Sequence, residues 1–241
     1  MEQNWRTVGP LLAALAILAG TGKAEVVDKT MKVGDSTVHY KVVLPNNYDP
    51  AKTYPAILGF GGGPQTMNVV DGVIARNFRD EAEKRGYIVV VPAAPDGDLF
   101  FEGGERIFPE FLKRILADYK IEQNKFHVAG PSNGGISAMY VASLYPQYFL
   151  SITAFPGYMW DETLDRMDAI SHLCVNLFVG ELDPMGWQDM MRREVKDLRA
   201  KGATAQFSLE KGQPHRLDTL AGANAGRLFD LFDQARHGCG K

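Results

Sequence analysis

A serine closely flanked by glycines is the feature of this sequence best suited to chemistry. Residues 130–135 read Gly-Pro-Ser-Asn-Gly-Gly, which fits the pattern Gly-x-Ser-x-Gly with Ser132 at its centre. In this pattern the serine occupies a sharp turn between a strand and a helix, and nearly bare neighbours prevent a collision between the two elements. Residues 126–129 are suited to the strand and residues 136–144 to the helix. The sequence therefore predicts an exposed nucleophilic hydroxyl at Ser132 rather than a simple Gly-Pro turn.

The second candidate residue is a histidine that could accept the serine proton. A serine hydroxyl is a poor nucleophile until a histidine takes its proton and a carboxylate orients that histidine. With this type of serine turn, the chain order is serine, then Asp or Glu, then histidine. Of the five histidines, His215 lies in a loop between the last predicted strand and the last predicted helix. We predict His215 as the general base.

The carboxylate must come between the serine and the histidine. Asp183 lies three residues after the end of an apolar strand predicted over residues 174–180, so it leaves the carboxyl edge of the sheet, where sites in such folds gather. Glu181 is the nearest competitor, and Asp161 and Glu162 are further ones. We favour Asp183 as the acid of a Ser132-Asp183-His215 triad.

An activated serine that attacks a carbonyl group carries out acyl transfer, in which the carbonyl oxygen becomes negatively charged. This oxyanion needs hydrogen-bond donors that are fixed in place. One donor is expected to be the backbone N–H of Asn133, directly after the nucleophile. The other is expected from the glycines at 61–63, with Gly62 preferred and Gly61 as the alternative. Gly59-Phe60-Gly61 could also begin a dinucleotide-binding loop, but Pro64 stands where the third glycine of that fingerprint belongs.

These residues need a scaffold of alternating strands and helices. Periodicity predicts strands at about 25–33, 36–44, 55–60, 87–91, 126–130, 150–155, 174–180 and 205–209. It predicts helices at about 67–85, 108–116, 132–145, 186–200 and 217–235. Such alternation is typical of a mostly parallel sheet with helices on both faces, and a turn at Gly34-Asp35 indicates an antiparallel hairpin at one edge. We therefore predict one α/β domain over residues 25–241.

The N-terminal residues differ in composition from the rest. Residues 1–24 contain a weakly positive start, an apolar run and small residues, as a secretory signal peptide does. We expect a secreted or periplasmic protein with no stable membrane insertion.

Two cysteines, Cys174 and Cys239, permit one disulfide or two free thiols, and the sequence leaves both open. A net charge of −3 without a basic block argues against a nucleic-acid-binding protein.

Taken together, these motifs resemble the α/β-hydrolase superfamily. The resemblance rests on the ordered set of residues 60–63, 130–134, Asp183 and His215. A second stretch, Leu-Pro-Asn-Asn-Tyr-Asp-Pro at 44–50 followed by Tyr-Pro, is similar to compact exported esterases: feruloyl esterases, polyhydroxybutyrate depolymerase-like proteins and carboxylesterase-like proteins. The resemblance covers about residues 30–235. It implies an eight-stranded, mostly parallel sheet, no metal or organic cofactor, and a small-molecule or polymer-borne ester as substrate.

One residue departs from the pattern of these esterases. Relatives commonly carry His-Gly where this chain has Phe60-Gly61, a change that a backbone donor can survive.

Several aromatic and methionine residues could line an acyl or aryl pocket, or could simply pack in the core. They are Phe100, Phe101, Phe108, Tyr158, Met159, Trp160, Met185 and Trp187. The function favoured is carboxylic-ester hydrolysis through an acyl-enzyme. The alternatives are a serine peptidase of the same fold and an inactive hydrolase fold used for binding.

Overall fold

One large sheet organises the molecule. The computed structural model describes residues 25–239, so the predicted signal peptide lies outside the described residues. The strands are β1 Glu25–Val33, β2 Ser36–Leu44, β3 Ala56–Gly59, β4 Ile88–Pro92, β5 Phe126–Gly130, β6 Phe149–Ala154, β7 Cys174–Gly180 and β8 Thr204–Glu210. They form one eight-stranded sheet in the order β1-β2-β4-β3-β5-β6-β7-β8.

The pairing directions confirm the predicted mostly parallel sheet with an antiparallel edge. β1 and β2 form a hairpin that turns at Gly34, and β2 also pairs antiparallel with β4. Every pairing from β4 through β3 to β8 is parallel. The strands β3, β4, β5 and β7 are buried along their whole length, as expected of strands covered on both faces.

Helices cover both faces of this sheet. They are α1 Met67–Val73, α2 Arg79–Arg85, α3 Glu110–Asp118, α4 Asn133–Leu144, α5 Gln188–Ala200 and α6 Gly226–Arg236. Residues of α3, α4 and α5 share one buried cluster with Leu58 and Val128. Residues of α1, α2 and α6 share the other cluster with Ile57 and Val89. Ile57 directly precedes Leu58, and successive side chains of a strand point to opposite faces of the sheet. No helix within residues 25–239 is both long and apolar enough to cross a membrane.

Two predicted helices differ from the structure. The helix predicted over 67–85 is continuous but contains a π-helical turn, Ile74–Phe78, between α1 and α2, and it ends at Gly86 in the left-handed conformation. The last helix begins at Gly226, not at 217, because the preceding segment folds as two short 3-10 turns, Asp218–Leu220 and Gly222–Asn224. Gly222 has a φ of 53°, which a continuous right-handed helix excludes.

The strand order brings two loops together at the carboxyl edge. β3 and β5 are neighbours in the sheet although the helices α1, α2 and α3 and the strand β4 separate them in sequence. The N–H of Phe60 continues this pairing and donates to the carbonyl of Ala129 at 2.9 Å. The glycine loop that follows β3 therefore lies beside the serine turn that follows β5, at the crevice where ligands bind in open α/β sheets.

A disulfide joins Cys174, at the start of β7, to Cys239, after α6. It settles the alternative that the sequence left open between a bridge and two free thiols. The bond closes a loop of 65 residues that includes the segments carrying Asp183 and His215. It therefore ties the last helix to the sheet that presents these residues.

Candidate active site

Ser132 occupies the sharp turn between β5 and α4. Its backbone adopts φ 55° and ψ −126°, a conformation that costs a non-glycine residue about 1–3 kcal/mol. The surrounding structure holds it there, because the N–H of Ser132 donates to the carbonyl of Pro156 at 2.7 Å. The turn presents the side chain above the sheet edge, as predicted from the glycine spacing.

The glycines around Ser132 are required by close backbone approach. A methyl group at Gly130 would lie 2.6 Å from the backbone of Gly134, and one at Gly134 would lie 2.6 Å from the carbonyl oxygen of Phe60. Such distances are far below van der Waals contact, and backbone atoms cannot move aside as a flexible side chain could. The spacing Gly-x-Ser-x-Gly is therefore a local steric requirement of this turn.

The structure brings Ser132, His215 and Asp183 together. The Nε2 of His215 lies 2.9 Å from the Oγ of Ser132, and its Nδ1 lies 2.8 Å from the Oδ2 of Asp183. An ionised carboxylate can only accept hydrogen bonds, so Nδ1 carries the ring proton and Nε2 is free to accept the serine proton. The three side chains thus form a continuous hydrogen-bonded relay of the kind that can activate a serine.

The structure places Asp183, and not the other candidate carboxylates, against the imidazole of His215. The side chain of Asp183 is fully buried beneath His215, and its Oδ1 accepts a hydrogen bond from the N–H of Met185. Glu181 is exposed and instead accepts a bond from the N–H of Gly212. Asp161 and Glu162 are exposed in the first turn of a 3-10 helix, Asp161–Ile170.

The expected oxyanion donors lie on either side of the serine. Gly62 approaches the turn closely, since a methyl group there would lie 3.0 Å from the Pro131 carbonyl and 3.5 Å from the Cβ of Ser132. A methyl group at Gly61 would instead meet the side chain of Val69. Within residues 25–239 the N–H groups of Gly62 and Asn133 donate to no acceptor, so both are available to a ligand.

Gln65 is a residue of this site that the sequence did not single out. It is fully buried, and its Nε2 donates to the carbonyl of Gly61 at 3.1 Å and to the Oγ of Ser137 at 2.8 Å. Its Oε1 accepts from the N–H of Phe100 at 3.1 Å. A polar residue directly after a glycine-rich loop is the only sequence signal for this role, and polar loop residues are too common for that signal to be specific.

Phe60, which replaces the histidine common in similar esterases, is turned into the core. Its ring is fully buried and lies 4.9 Å from the ring of Phe100 and 6.2 Å from that of Phe108. The hydrogen bonds that hold the glycine loop come from Gln65 and from the Asn133 side chain, whose Nδ2 donates to the carbonyl of Gly63 at 3.0 Å. Phe60 therefore stabilises the loop by packing.

The eight residues predicted to line a pocket differ in exposure. Phe100, Phe101, Phe108 and Met159 are buried, Trp160 is half-buried and Met185 is exposed. Tyr158 and Trp187 are half-buried and form a row beside His215, with ring centroids 4.9 Å apart and Trp187 5.1 Å from the imidazole. Trp187 thus packs against the ring of His215.

A cavity of about 290 Å³ opens beside Ser132 and His215, and none of these eight residues lines it. Its walls include the apolar residues Val69, Val73, Phe155 and Leu217, none of which the sequence had marked as pocket residues. Within the described part of the chain, no group of three or more His, Cys, Asp or Glu side chains could hold a metal ion.

The sheet, the serine turn and the ordered site residues define an α/β-hydrolase. The model of the Esterase family matches residues 104–225, about half of the chain, and this segment contains Ser132, Asp183 and His215. The chain therefore belongs to the Esterase family.

The known proteins that this chain resembles include an esterase and two peptidases. A solved ferulic acid esterase superposes with a TM-score of 0.65 at 19% identity, covering 90% of this chain and 99% of that one. Prolyl endopeptidase FAP of Bos taurus is 27% identical over 149 residues, 55% of this chain and 19% of that protein. Dipeptidyl-peptidase 5 of Porphyromonas gingivalis is 30% identical over 128 residues, 48% of this chain and 19% of that protein. The matched segments thus span about a fifth of the length of both peptidases.

Proposed function

We propose that this hydrolase is a serine esterase that cleaves carboxylic esters with Ser132 as nucleophile, His215 as general base and Asp183 as the acid that orients it. The single observation that carries the proposal is the continuous hydrogen-bonded relay from Ser132 through His215 to the buried carboxylate of Asp183. A binding module has no need for this arrangement, which matches the requirements of an activated serine.

The proposed reaction proceeds in two halves. The Oγ of Ser132 attacks the ester carbonyl while the Nε2 of His215 takes its proton, and the N–H groups of Gly62 and Asn133 stabilise the tetrahedral oxyanion. The imidazolium then donates its proton to the departing alcohol, which leaves an acyl group on Ser132. Water, deprotonated by His215, attacks this acyl-enzyme and releases the carboxylic acid together with the regenerated serine.

Membership in the Esterase family supports an ester as the substrate. The fold shared with a ferulic acid esterase, over 90% of this chain and 99% of that one, supports it as well. A serine peptidase is the second candidate, because the curated relatives at 27% and 30% identity are both peptidases. The two activities need the same relay, so substrate turnover has to separate them.

The test begins with covalent labelling. We expect a fluorophosphonate probe to label the wild-type protein and to leave Ser132→Ala unlabelled, whereas an inactive binding protein would take up no label. The labelled enzyme is then given p-nitrophenyl esters and dipeptidyl p-nitroanilides. Ester turnover without anilide turnover supports the esterase, and efficient anilide turnover would move the assignment to the peptidase.

We further propose that the enzyme works outside the cytoplasm, as a secreted or periplasmic protein. The signal-peptide composition of residues 1–24 and the disulfide between Cys174 and Cys239 both support an oxidising compartment. Expression of the full chain followed by N-terminal sequencing of the exported product tests this proposal. A product retained in the cytoplasm with Met1 intact would contradict it.

A further inference from the structure

The cavity beside the nucleophile has a charge pattern that the reaction itself does not require. Its walls are mostly apolar, but two guanidinium groups, Arg76 and Arg216, also line it. Within the described residues no Asp or Glu lines this cavity. A ligand group that enters it therefore meets apolar walls, the reactive serine and two positive charges.

The donors of these guanidinium groups are largely free. Arg216 directly follows His215, is exposed, and makes no hydrogen bond or ion pair within residues 25–239. Arg76 uses its Nη2 for the carbonyl of Leu217 at 3.3 Å and for the carboxylate of Asp218. Its Nη1 and Nε have no acceptor in the part of the chain that the structure describes. Because a guanidinium presents five N–H donors, two internal acceptors that both bind at Nη2 leave the donors of Nη1 and Nε for a ligand.

Asp218 does not cancel this charge. Its side chain is 77% exposed and lies outside the cavity lining, while that of Arg76 is 24% exposed. One exposed carboxylate next to two arginines leaves a net positive charge at the cavity. An exposed carboxylate is also screened by water more strongly than a group inside an apolar cavity.

The fold holds Arg76 in place. It lies in the π-helical turn Ile74–Phe78, a feature that occurs frequently at functional sites. The neighbouring Asn77 is buried and donates from Nδ2 to the carbonyl of Leu220 at 2.9 Å. Two side chains of this turn thus bind the segment that continues from His215, so Arg76 is fixed relative to the catalytic base.

We propose that Arg76 and Arg216 select esters that carry a negatively charged group, such as a carboxylate, on the part of the substrate that occupies this cavity. The inference rests on the proposed esterase function. Arginine binds carboxylates through paired, charge-assisted hydrogen bonds, and these are stronger where water is partly excluded. A volume of about 290 Å³ is at the lower end of ligand pockets, so it suits a compact anionic group rather than a long acyl chain.

The test compares esters that differ in charge and little in size, with each enzymatic rate divided by the rate of uncatalysed hydrolysis. One pair carries the charge on the acyl side: mono-p-nitrophenyl adipate and its methyl ester. The other carries it on the leaving group: para-acetoxybenzoate and para-acetoxybenzamide. We expect the wild-type enzyme to prefer the anionic member of at least one pair by about tenfold in kcat/KM, and the pair that responds identifies the side of the substrate in the cavity.

Variants connect the preference to the two arginines. Arg216→Gln and Arg76→Gln should each lower the ratio of anionic to neutral kcat/KM by about threefold, because the two arginines share the preference. Arg193→Gln removes the same charge from an exposed position of α5 outside the cavity and should leave that ratio unchanged. Raising the ionic strength to about 1 M, where the Debye length is about 3 Å, should weaken the wild-type preference.

The outcomes separate this inference from the proposed function. Hydrolysis of neutral esters without preference for either anionic member would overturn the charge selection while leaving the esterase intact. A wild-type preference that survives undiminished in both Arg76→Gln and Arg216→Gln would also overturn it. Absence of both ester turnover and fluorophosphonate labelling would instead remove the esterase proposal on which it rests.

Discussion

The Nε2 of Gln65 donates a hydrogen bond to the Oγ of Ser137 at 2.8 Å, and that hydroxyl donates in turn to the carbonyl of Asn133, also at 2.8 Å. This buried chain connects the glycine loop after β3 to the first turn of α4. It therefore links the two backbone segments that carry the proposed oxyanion donors, Gly62 and Asn133. Gln65 touches no reacting atom and acts as a positioning residue.

Replacing Gln65 with Leu should reduce catalysis more than substrate binding. The change keeps the side-chain volume but leaves Gly61, Phe100 and Ser137 without their partner. We expect kcat for p-nitrophenyl acetate to fall by about tenfold to a hundredfold with little change in KM, because the loop orients the transition state. Unfolding in denaturant should show a loss of about 3 kcal/mol.

Gln147→Leu is the matched control for this prediction, since Gln147 is exposed and distant from the glycine loop in sequence. It should retain both kcat and stability. A Gln65→Leu enzyme that loses stability but keeps the wild-type kcat would show that Gln65 is purely structural.

Removal of the triad residues should have graded effects. Ser132→Ala and His215→Ala should each lower kcat/KM for p-nitrophenyl esters by about three decades or more, because each removes the activated nucleophile. Asp183→Ala should cost less, since the imidazole can still accept a proton when its orientation is lost. Steady-state kinetics on folded protein measures all three.

Glu181→Gln is the control for the assignment of the acid. This variant should behave almost as the wild type, because the Glu181 carboxylate accepts its hydrogen bond from the Gly212 N–H, whereas the imidazole Nδ1 is bonded to Asp183. Near-wild-type rates in Asp183→Ala combined with a loss in Glu181→Gln would reverse the assignment.

The disulfide between Cys174 and Cys239 should contribute to stability without taking part in the reaction. Closing a loop of 65 residues restricts the unfolded chain by about 4 kcal/mol in the chain-entropy account. The double variant Cys174→Ser, Cys239→Ser should therefore melt about 10 °C lower while keeping its kcat at room temperature. A reducing agent should lower the melting temperature of the wild type and leave the double variant unaffected. Equal melting temperatures for the two proteins would refute a stabilising bridge.

Glu194 should make stability depend on pH. Burial raises the pKa of Glu194 on α5 to about 8, against the opposing effect of the Met159 N–H that donates to its carboxyl group. The folded state thus holds a proton that the unfolded chain releases above its ordinary value of 4.5. Stability from this group is complete below that value and is lost as pH rises to about 8.

Glu194→Gln tests this linkage, because the amide resembles the protonated acid and can still accept from Met159. Its melting temperature should match the wild type near the ordinary pKa of glutamate and exceed it by several degrees above the raised pKa of Glu194. Glu102→Gln, an exposed change, should show no such divergence. A Glu194→Gln protein that is less stable at every pH would contradict a neutral carboxyl group in the folded state.

The sequence by itself determined the serine turn, the alternation of strands and helices, and the loop that carries His215. These features follow from local requirements: two bare residues around Ser132, apolar periodicity in each element, and the chain order of the triad residues. Local requirements act over a few residues and can therefore be recognised in the amino-acid sequence. They also sufficed to predict the sheet with its antiparallel edge, which the structure confirms.

Only the tertiary structure decided which distant groups meet. The close approach of the loops after β7 and β8, where a methyl group at Gly180 would lie 2.2 Å from the Gln213 carbonyl, places Asp183 under His215 and leaves Glu181 in solvent. The same long-range packing decided the pairing of Cys174 with Cys239 and brought Arg76 to the cavity beside Ser132. Distances between residues far apart in sequence depend on how whole layers pack, and spacing along the chain does not report them.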